Sequence, residues 1–76
     1  MGQFMYTQIK TPADLGTMIR ARRRALGIAT LEEFALMTGH SVRFLSEVER
    51  GKEGAAIGTV MQLAAKLGID LFARER

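Results

Sequence analysis

Four side chains that can bind nucleic-acid bases or phosphates recur at helical spacing in the middle of the chain: Arg43, Ser46, Glu47 and Arg50. At about 100° per residue they lie opposite Leu45, which marks the centre of an apolar face. Arginine can donate two hydrogen bonds to guanine, and a carboxylate can accept one from cytosine or orient a neighbouring arginine instead. The spacing therefore predicts a helix face that reads bases in the major groove of double-stranded DNA.

The residues around this face fit the same chemistry. Ser41 precedes the helix as a cap, so its first backbone N–H groups are free to meet a phosphate. Phe44 lies at the border of the two faces, where it either packs against the preceding helix or meets a thymine methyl group or a partner protein. The net charge is +3 and the isoelectric point is about 10.0, a mild basic excess. The cations cluster in two stretches, which are either solvated helix faces or contacts to phosphate: Arg20, Arg22, Arg23 and Arg24, and Arg43, Arg50 and Lys52.

A buried ion pair is predicted beside this helix. Glu49 lies on the inward side of the helix, where an unpaired carboxylate would be costly. Arg23 projects about 80° from the centre of the apolar face of the first helix, which suits a half-buried partner for Glu49. Arg22 falls within that apolar face, and it either extends its charged head to water along the core or competes with Arg23 for Glu49.

Four helices are needed to position these residues, and each is followed by a glycine. Thr11 and Pro12 start the first helix, Thr30 caps the second with Glu33 completing a capping-box pattern, and Ser41 caps the third. The fourth carries the apolar spacing of Ile57, Val60, Met61, Ala64 and Leu67. Only Gly39-His40-Ser41 separates the second and third helices, which favours the crossed pair of a helix-turn-helix unit. The terminating glycines are Gly27, Gly39, Gly51 and Gly68.

The period changes after Gly68 and predicts a short strand over residues 69–74. Ile69, Leu71 and Ala73 alternate with Asp70, Phe72 and Arg74. A lone strand is unstable, so it needs a partner, either residues 4–9 or the same strand of a second subunit. We favour the second subunit, because a two-fold contact completes both small domains at once and makes a homodimer. The expected dimer residues are Ile69, Leu71, Phe72 and Ala73.

Composition excludes several classes of protein. The 76 residues suffice for one domain, with a helical core over residues 10–68 and the strand over residues 69–74. The chain has no cysteine and a single histidine, His40, which has no cluster of carboxylates beside it, so we expect no metal site and no cofactor. No catalytic constellation is present, and we expect no enzymatic activity. No segment reads as a membrane span or a signal peptide, so a cytoplasmic, nucleoid-associated protein is expected.

Several of these stretches resemble the Cro-type (XRE) helix-turn-helix family over roughly residues 9–72. The run Gly39-His40-Ser41 and the sequence Val48-Glu49-Arg50-Gly51-Lys52 carry the resemblance most strongly, and the first helix carries it more weakly. Within the family, the Thr11-Pro12 start, the central GHSVRFLSEVERGK and the LGIDL ending most resemble HipB-like antitoxins. The resemblance implies a lambda-repressor-like, all-α bundle of four helices with a C-terminal strand that pairs across a dimer.

The resemblance also implies a function and a set of site residues. It implies a dimeric transcriptional repressor of its own operon, which also neutralises a HipA-type serine/threonine kinase toxin, with or without an additional small subunit. The base-reading positions of the family fall on Val42, Arg43 and Glu47, and its arginine–glutamate ion pair falls on Arg23 and Glu49. The full set expected at DNA is Thr30, Ser41, Val42, Arg43, Ser46, Glu47, Arg50 and Lys52.

This chain departs from the family pattern at three places. Leu31 and Val42 stand where glutamine is common, and Arg22 stands where an apolar residue is common. The loop before Leu31 is also one residue longer than usual. Leu31 and Val42 mildly favour an alternative, a protein-interaction module that neutralises a kinase with little DNA binding of its own.

Overall fold

The computed structural model describes residues 6–76, which form four helices joined by short loops. They are α1 (Pro12–Ala25), α2 (Leu31–Thr38), α3 (Val42–Glu49) and α4 (Ile57–Lys66). The prediction of an all-α bundle of four helices is therefore confirmed. Within the described residues, no helix has the length and apolar character needed to cross a bilayer.

Thr11 caps α1 as the sequence predicts, and it does so within a full capping box. The Thr11 hydroxyl accepts a hydrogen bond from the Asp14 N–H at 3.2 Å, and the Asp14 carboxylate accepts one from the Thr11 N–H at 3.1 Å. The same carboxylate accepts a bond from the Lys10 N–H at 2.8 Å. These backbone donors, Lys10 first, lower the pKa of Asp14, because they favour its charged form.

Side-chain caps also start α2 and α3. Thr30 accepts from the Glu33 N–H at 3.1 Å and Ser41 accepts from the Phe44 N–H at 3.0 Å. Only the Thr30 half of the predicted capping box is found, since the Glu33 carboxylate accepts no hydrogen bond from the Thr30 N–H. Both helices are eight residues long, too short to be stable alone, so they depend on packing against the rest of the bundle.

The core lies where α3 packs against both α1 and α2 while α4 closes one side. The largest side chains that are almost completely buried come from all four helices and the residue that follows α4: Ile19, Phe34, Leu45, Leu63 and Leu67. Half-buried residues packed against this core include Leu31 and Phe44. Phe44 thus contacts the core, and its ring also lies 5.1 Å from that of His40.

Gly16 allows α1 to lie directly on the end of α3. A Cβ atom at this position would overlap the carbonyl oxygen of Val48 and lie 2.7 Å from that of Glu49. No side chain larger than hydrogen fits there without moving one helix away from the other. This close approach sets the position of α3 relative to α1, and with it the position of the outward face of α3.

The strand predicted over residues 69–74 is not found, and pairing across a dimer is not supported. Residues 69–76 form no regular element, and the Ile69 N–H returns to the carbonyl oxygen of Ala64. The physical reason is that an extended segment forms a strand only when a neighbouring strand accepts and donates its backbone hydrogen bonds. The alternative partner, residues 4–9, lies partly outside the described residues. Its described part touches the tail through side chains, with the Tyr6 ring edge-on to Phe72 at 5.8 Å.

Candidate nucleic-acid interface

The outward face of α3 presents one fully accessible arginine. The Arg43 side chain is 89% exposed, the most accessible ionised group among the salt bridges of the described chain. Its Nε donates to Glu47 Oε1 at 3.1 Å, one helical turn further on. This hydrogen bond leaves the two terminal nitrogens of the guanidinium free to donate to a ligand.

Glu47 binds two cations, one through each oxygen of its carboxylate. Its Oε2 accepts a hydrogen bond from Lys52 Nζ at 2.8 Å, while its Oε1 accepts the bond from Arg43. The hydrogen bond from Lys52, followed by that from Arg43, lowers the pKa of Glu47, because both donors favour the carboxylate. Of the two roles predicted for this carboxylate, the structure therefore favours the one in which it orients a neighbouring arginine, Arg43, and Lys52 is its second partner.

The remaining predicted residues border the same face. Val42 and Ser46 lie one turn apart on α3 and line a cleft together with Thr30 and Arg50. The Arg50 Nε donates to the Ser46 carbonyl oxygen at 3.3 Å, which holds this arginine close to the end of its own helix. The hydroxyl groups of Thr30 and Ser41 act as helix caps, so any phosphate bound there would meet backbone N–H groups.

Arg23 holds α3 against α1 through a buried bidentate ion pair. Its Nε donates to Glu49 Oε2 at 2.8 Å, and its Nη2 donates to Glu49 Oε1 at 3.1 Å. A third bond runs from Nη1 to the carbonyl oxygen of Ile28 at 2.7 Å. The two side chains are only 4% and 6% exposed. Both charges are thus satisfied, and the loop before α2 is attached to the same guanidinium.

Arg22 binds the end of α4, a contact that its place in the sequence did not predict. Its Nε donates to the carbonyl oxygen of Leu67 at 2.8 Å, where α4 ends. A cation at this position satisfies a terminal carbonyl and favours the negative end of the helix dipole. The two residues are 45 positions apart in the chain, so no local pattern announces their contact. Arg22 therefore does not compete for Glu49.

Two comparisons with known proteins bear on this geometry. The family model described as Helix-turn-helix matches residues 19–73, which include all of α2, α3 and α4. The chain is also 39% identical over 71 residues to a protein of Sinorhizobium fredii named as an uncharacterized HTH-type transcriptional regulator. That alignment covers 91% of this chain and 92% of the relative, so the two proteins are similar over nearly their whole lengths.

Proposed function

This chain belongs to the Cro-type (XRE) helix-turn-helix family of DNA-binding regulators, and we propose that it represses its own operon by binding operator DNA as a homodimer. The observation that carries the proposal is the exposed Arg43, whose Nε donates to Glu47 Oε1. Lys52 donates to Oε2, the other oxygen of the same carboxylate, and so helps to hold Glu47 in place. An arginine oriented in this way on a recognition helix suits the O6 and N7 atoms of guanine. A repressor of this kind acts at the chromosome, in the bacterial cytoplasm.

The first test replaces Arg43 with alanine. We expect the Arg43→Ala variant to lose about 1–3 kcal/mol of operator affinity and to lose its preference at one base pair in each half-site. The measurement is the affinity for the promoter of its own operon and for single-base variants of that site. Arg76→Ala is the matched control, because it removes an exposed arginine far from α3 in sequence. An equal loss on all sequences would show that Arg43 contacts only phosphate.

Dimerisation is the second part of the proposal, and it is supported by exposed apolar side chains on α4 and in the tail. Ile57 and Met61 lie one turn apart on α4 and are 72% and 48% exposed, while Leu71 and Phe72 in the tail are 42% and 75% exposed. A two-fold contact with a second copy would cover apolar side chains in both subunits at once. We therefore keep the predicted tail residues as proposed dimer residues, with Leu71 and Phe72 as the exposed contacts, Ala73 beside them, and Ile69 half-buried against the core of its own chain.

Removal of the tail tests this contact. A chain that ends after Gly68 is expected to be monomeric and to bind the operator weakly, since one subunit reaches only one half-site. Sedimentation equilibrium gives the mass, and the same sample gives the affinity. A chain lacking only residues 74–76 is the control and should remain a dimer. If the shorter chain still dimerises, the tail does not form the contact.

We also propose that the protein is the antitoxin of a HipA-type serine/threonine kinase. The support is the resemblance of residues 39–52 and of the LGIDL ending to HipB-like proteins, together with apolar side chains available on α2. Leu36 is 89% exposed and Met37 is 65% exposed, and neither lies on α3. Co-expression with the kinase of an adjacent reading frame should relieve its toxicity. An alternative function is kinase neutralisation with little DNA binding of its own, and it predicts operator affinity no higher than that for random duplex.

A further inference from the structure

A positively charged cleft opens between α1 and α3, beside the residues assigned to base reading. Its volume is about 430 Å³, and its exposed cations are Arg20 and Arg24 from α1 and Arg50 from the end of α3. Arg20 and Arg24 are one helical turn apart, so their side chains leave α1 on the same side. We call this site the arginine cleft.

The three arginines of the cleft are not used by the fold. None of them takes part in a salt bridge within the described residues 6–76, although Glu32 also lines the cleft. The fourth arginine of the lining, Arg23, is neutralised by Glu49 beneath the surface. Arg50 makes one hydrogen bond, to its own helix, and keeps further donors. The cleft therefore keeps a net positive charge, because its three unpaired arginines outnumber the one carboxylate, Glu32, that lies among the described lining residues outside the Arg23–Glu49 pair.

We infer that the arginine cleft binds one backbone phosphodiester of the DNA whose bases α3 reads. The guanidinium group donates in a planar fork that matches the oxygens of a phosphate, so arginines from two helices can hold one phosphate from two sides. The location favours a DNA phosphate, because Val42 and Ser46 of the base-reading helix line the same cleft. Contacts of this kind fix the register of a protein on the duplex without reading sequence. Arg20 and Arg24 thus become positioning contacts to DNA.

The inference rests on the proposed function, and its test separates the two. The full chain is titrated with its own promoter duplex and with random duplex over a range of salt concentrations. If the unaltered chain shows no preference for the promoter, the proposed function fails. If it binds, the variant carrying Arg20→Gln and Arg24→Gln is compared with a charge-matched control carrying Lys66→Gln and Arg76→Gln.

The variant of the cleft is expected to lose about 0.9 from the slope of log affinity against log salt, the value for one phosphate contact. Its preference for promoter over random duplex should be unchanged, since the loss of a phosphate contact weakens binding to all sequences alike. The control should keep the slope of the unaltered chain. If cleft variant and control have the same slope, the inference is wrong while the proposed function stands. Thermal unfolding monitors the fold, which exposed arginines should not affect.

A scan of neutral phosphates locates the contact on the DNA. Duplexes that carry one uncharged methylphosphonate at a time are bound to the unaltered chain and to the cleft variant. At one position in each half-site, the methylphosphonate should weaken binding by the unaltered chain and should not weaken binding by the variant any further. If no position shows this coupling, and inorganic phosphate instead binds the unaltered chain at one site without DNA, the cleft is a site for a free anion and the inference is overturned.

Discussion

Replacing Glu49 with alanine is expected to destabilise the folded chain by about 3–5 kcal/mol, the usual cost of removing one partner of a buried ion pair. The Arg23 side chain is only 4% exposed and makes two of its three hydrogen bonds to Glu49. In the variant, this guanidinium keeps only the carbonyl oxygen of Ile28. A domain of this length has a stability of roughly 4–11 kcal/mol, so a large part of it would be lost.

Urea unfolding measures this change, and Glu47 provides the control on the same helix. Glu47→Ala also removes a glutamate that binds an arginine, but Arg43 is 89% exposed and water can replace the carboxylate. The expected cost for Glu47→Ala is therefore at most about 1 kcal/mol. A double variant, Arg23→Met with Glu49→Leu, should recover much of the stability, because no buried charge remains. Equal effects of the two single alanine variants would contradict the role assigned to the buried pair.

Replacing Gly16 with alanine is expected to destabilise the chain by about 3 kcal/mol, at the upper end of the range for overpacking. The added methyl group would meet the carbonyl oxygens of Val48 and Glu49. These are backbone atoms, which cannot rotate away as the end of a flexible side chain does. The loss should appear although alanine forms helices more readily than glycine by about 1 kcal/mol.

Gly58 provides a control, because the same substitution there is expected to stabilise the chain. It lies within α4, and a Cβ atom there would have no atom within 4 Å. Gly58→Ala should therefore stabilise the chain by up to about 1 kcal/mol through helix propensity alone. The difference in the urea midpoints of the two variants isolates the contact between α1 and α3. If Gly16→Ala also stabilised the chain, the close approach of the two helices would be refuted.

The starts of α1, α2 and α3 and the ends of all four helices were predictable because caps and glycine stops act over three or four residues. Thr11, Thr30 and Ser41 accept bonds from the backbone three positions later, as their residue types indicate. The outward face of α3 followed from the helical period in the same way. The pairing of Arg23 with Glu49 was expected as well. Only the packing of the helices could exclude Arg22, the preceding residue of α1, as the partner of Glu49.

The tail shows why an alternating pattern is weaker evidence than a helical one. Residues 69–74 alternate as a strand does, yet they form none, because strand pairing depends on a partner that the pattern does not name. A helix satisfies its own backbone within four residues, whereas a strand must find its partner elsewhere in the chain or in another molecule.

The amino-acid sequence alone determined four helices, their order and the side of α3 that carries Arg43 and Glu47, since each depends on contacts between near neighbours in the chain. Only the tertiary structure decided that Lys52 shares Glu47 with Arg43, that Arg22 binds the end of α4, and that Arg20 and Arg24 face Arg50 across a cleft. These contacts mostly join residues that are distant in the chain or on different elements. The cleft exists because the close contact at Gly16 fixes where α1 and α3 lie, and that geometry depends on packing in three dimensions.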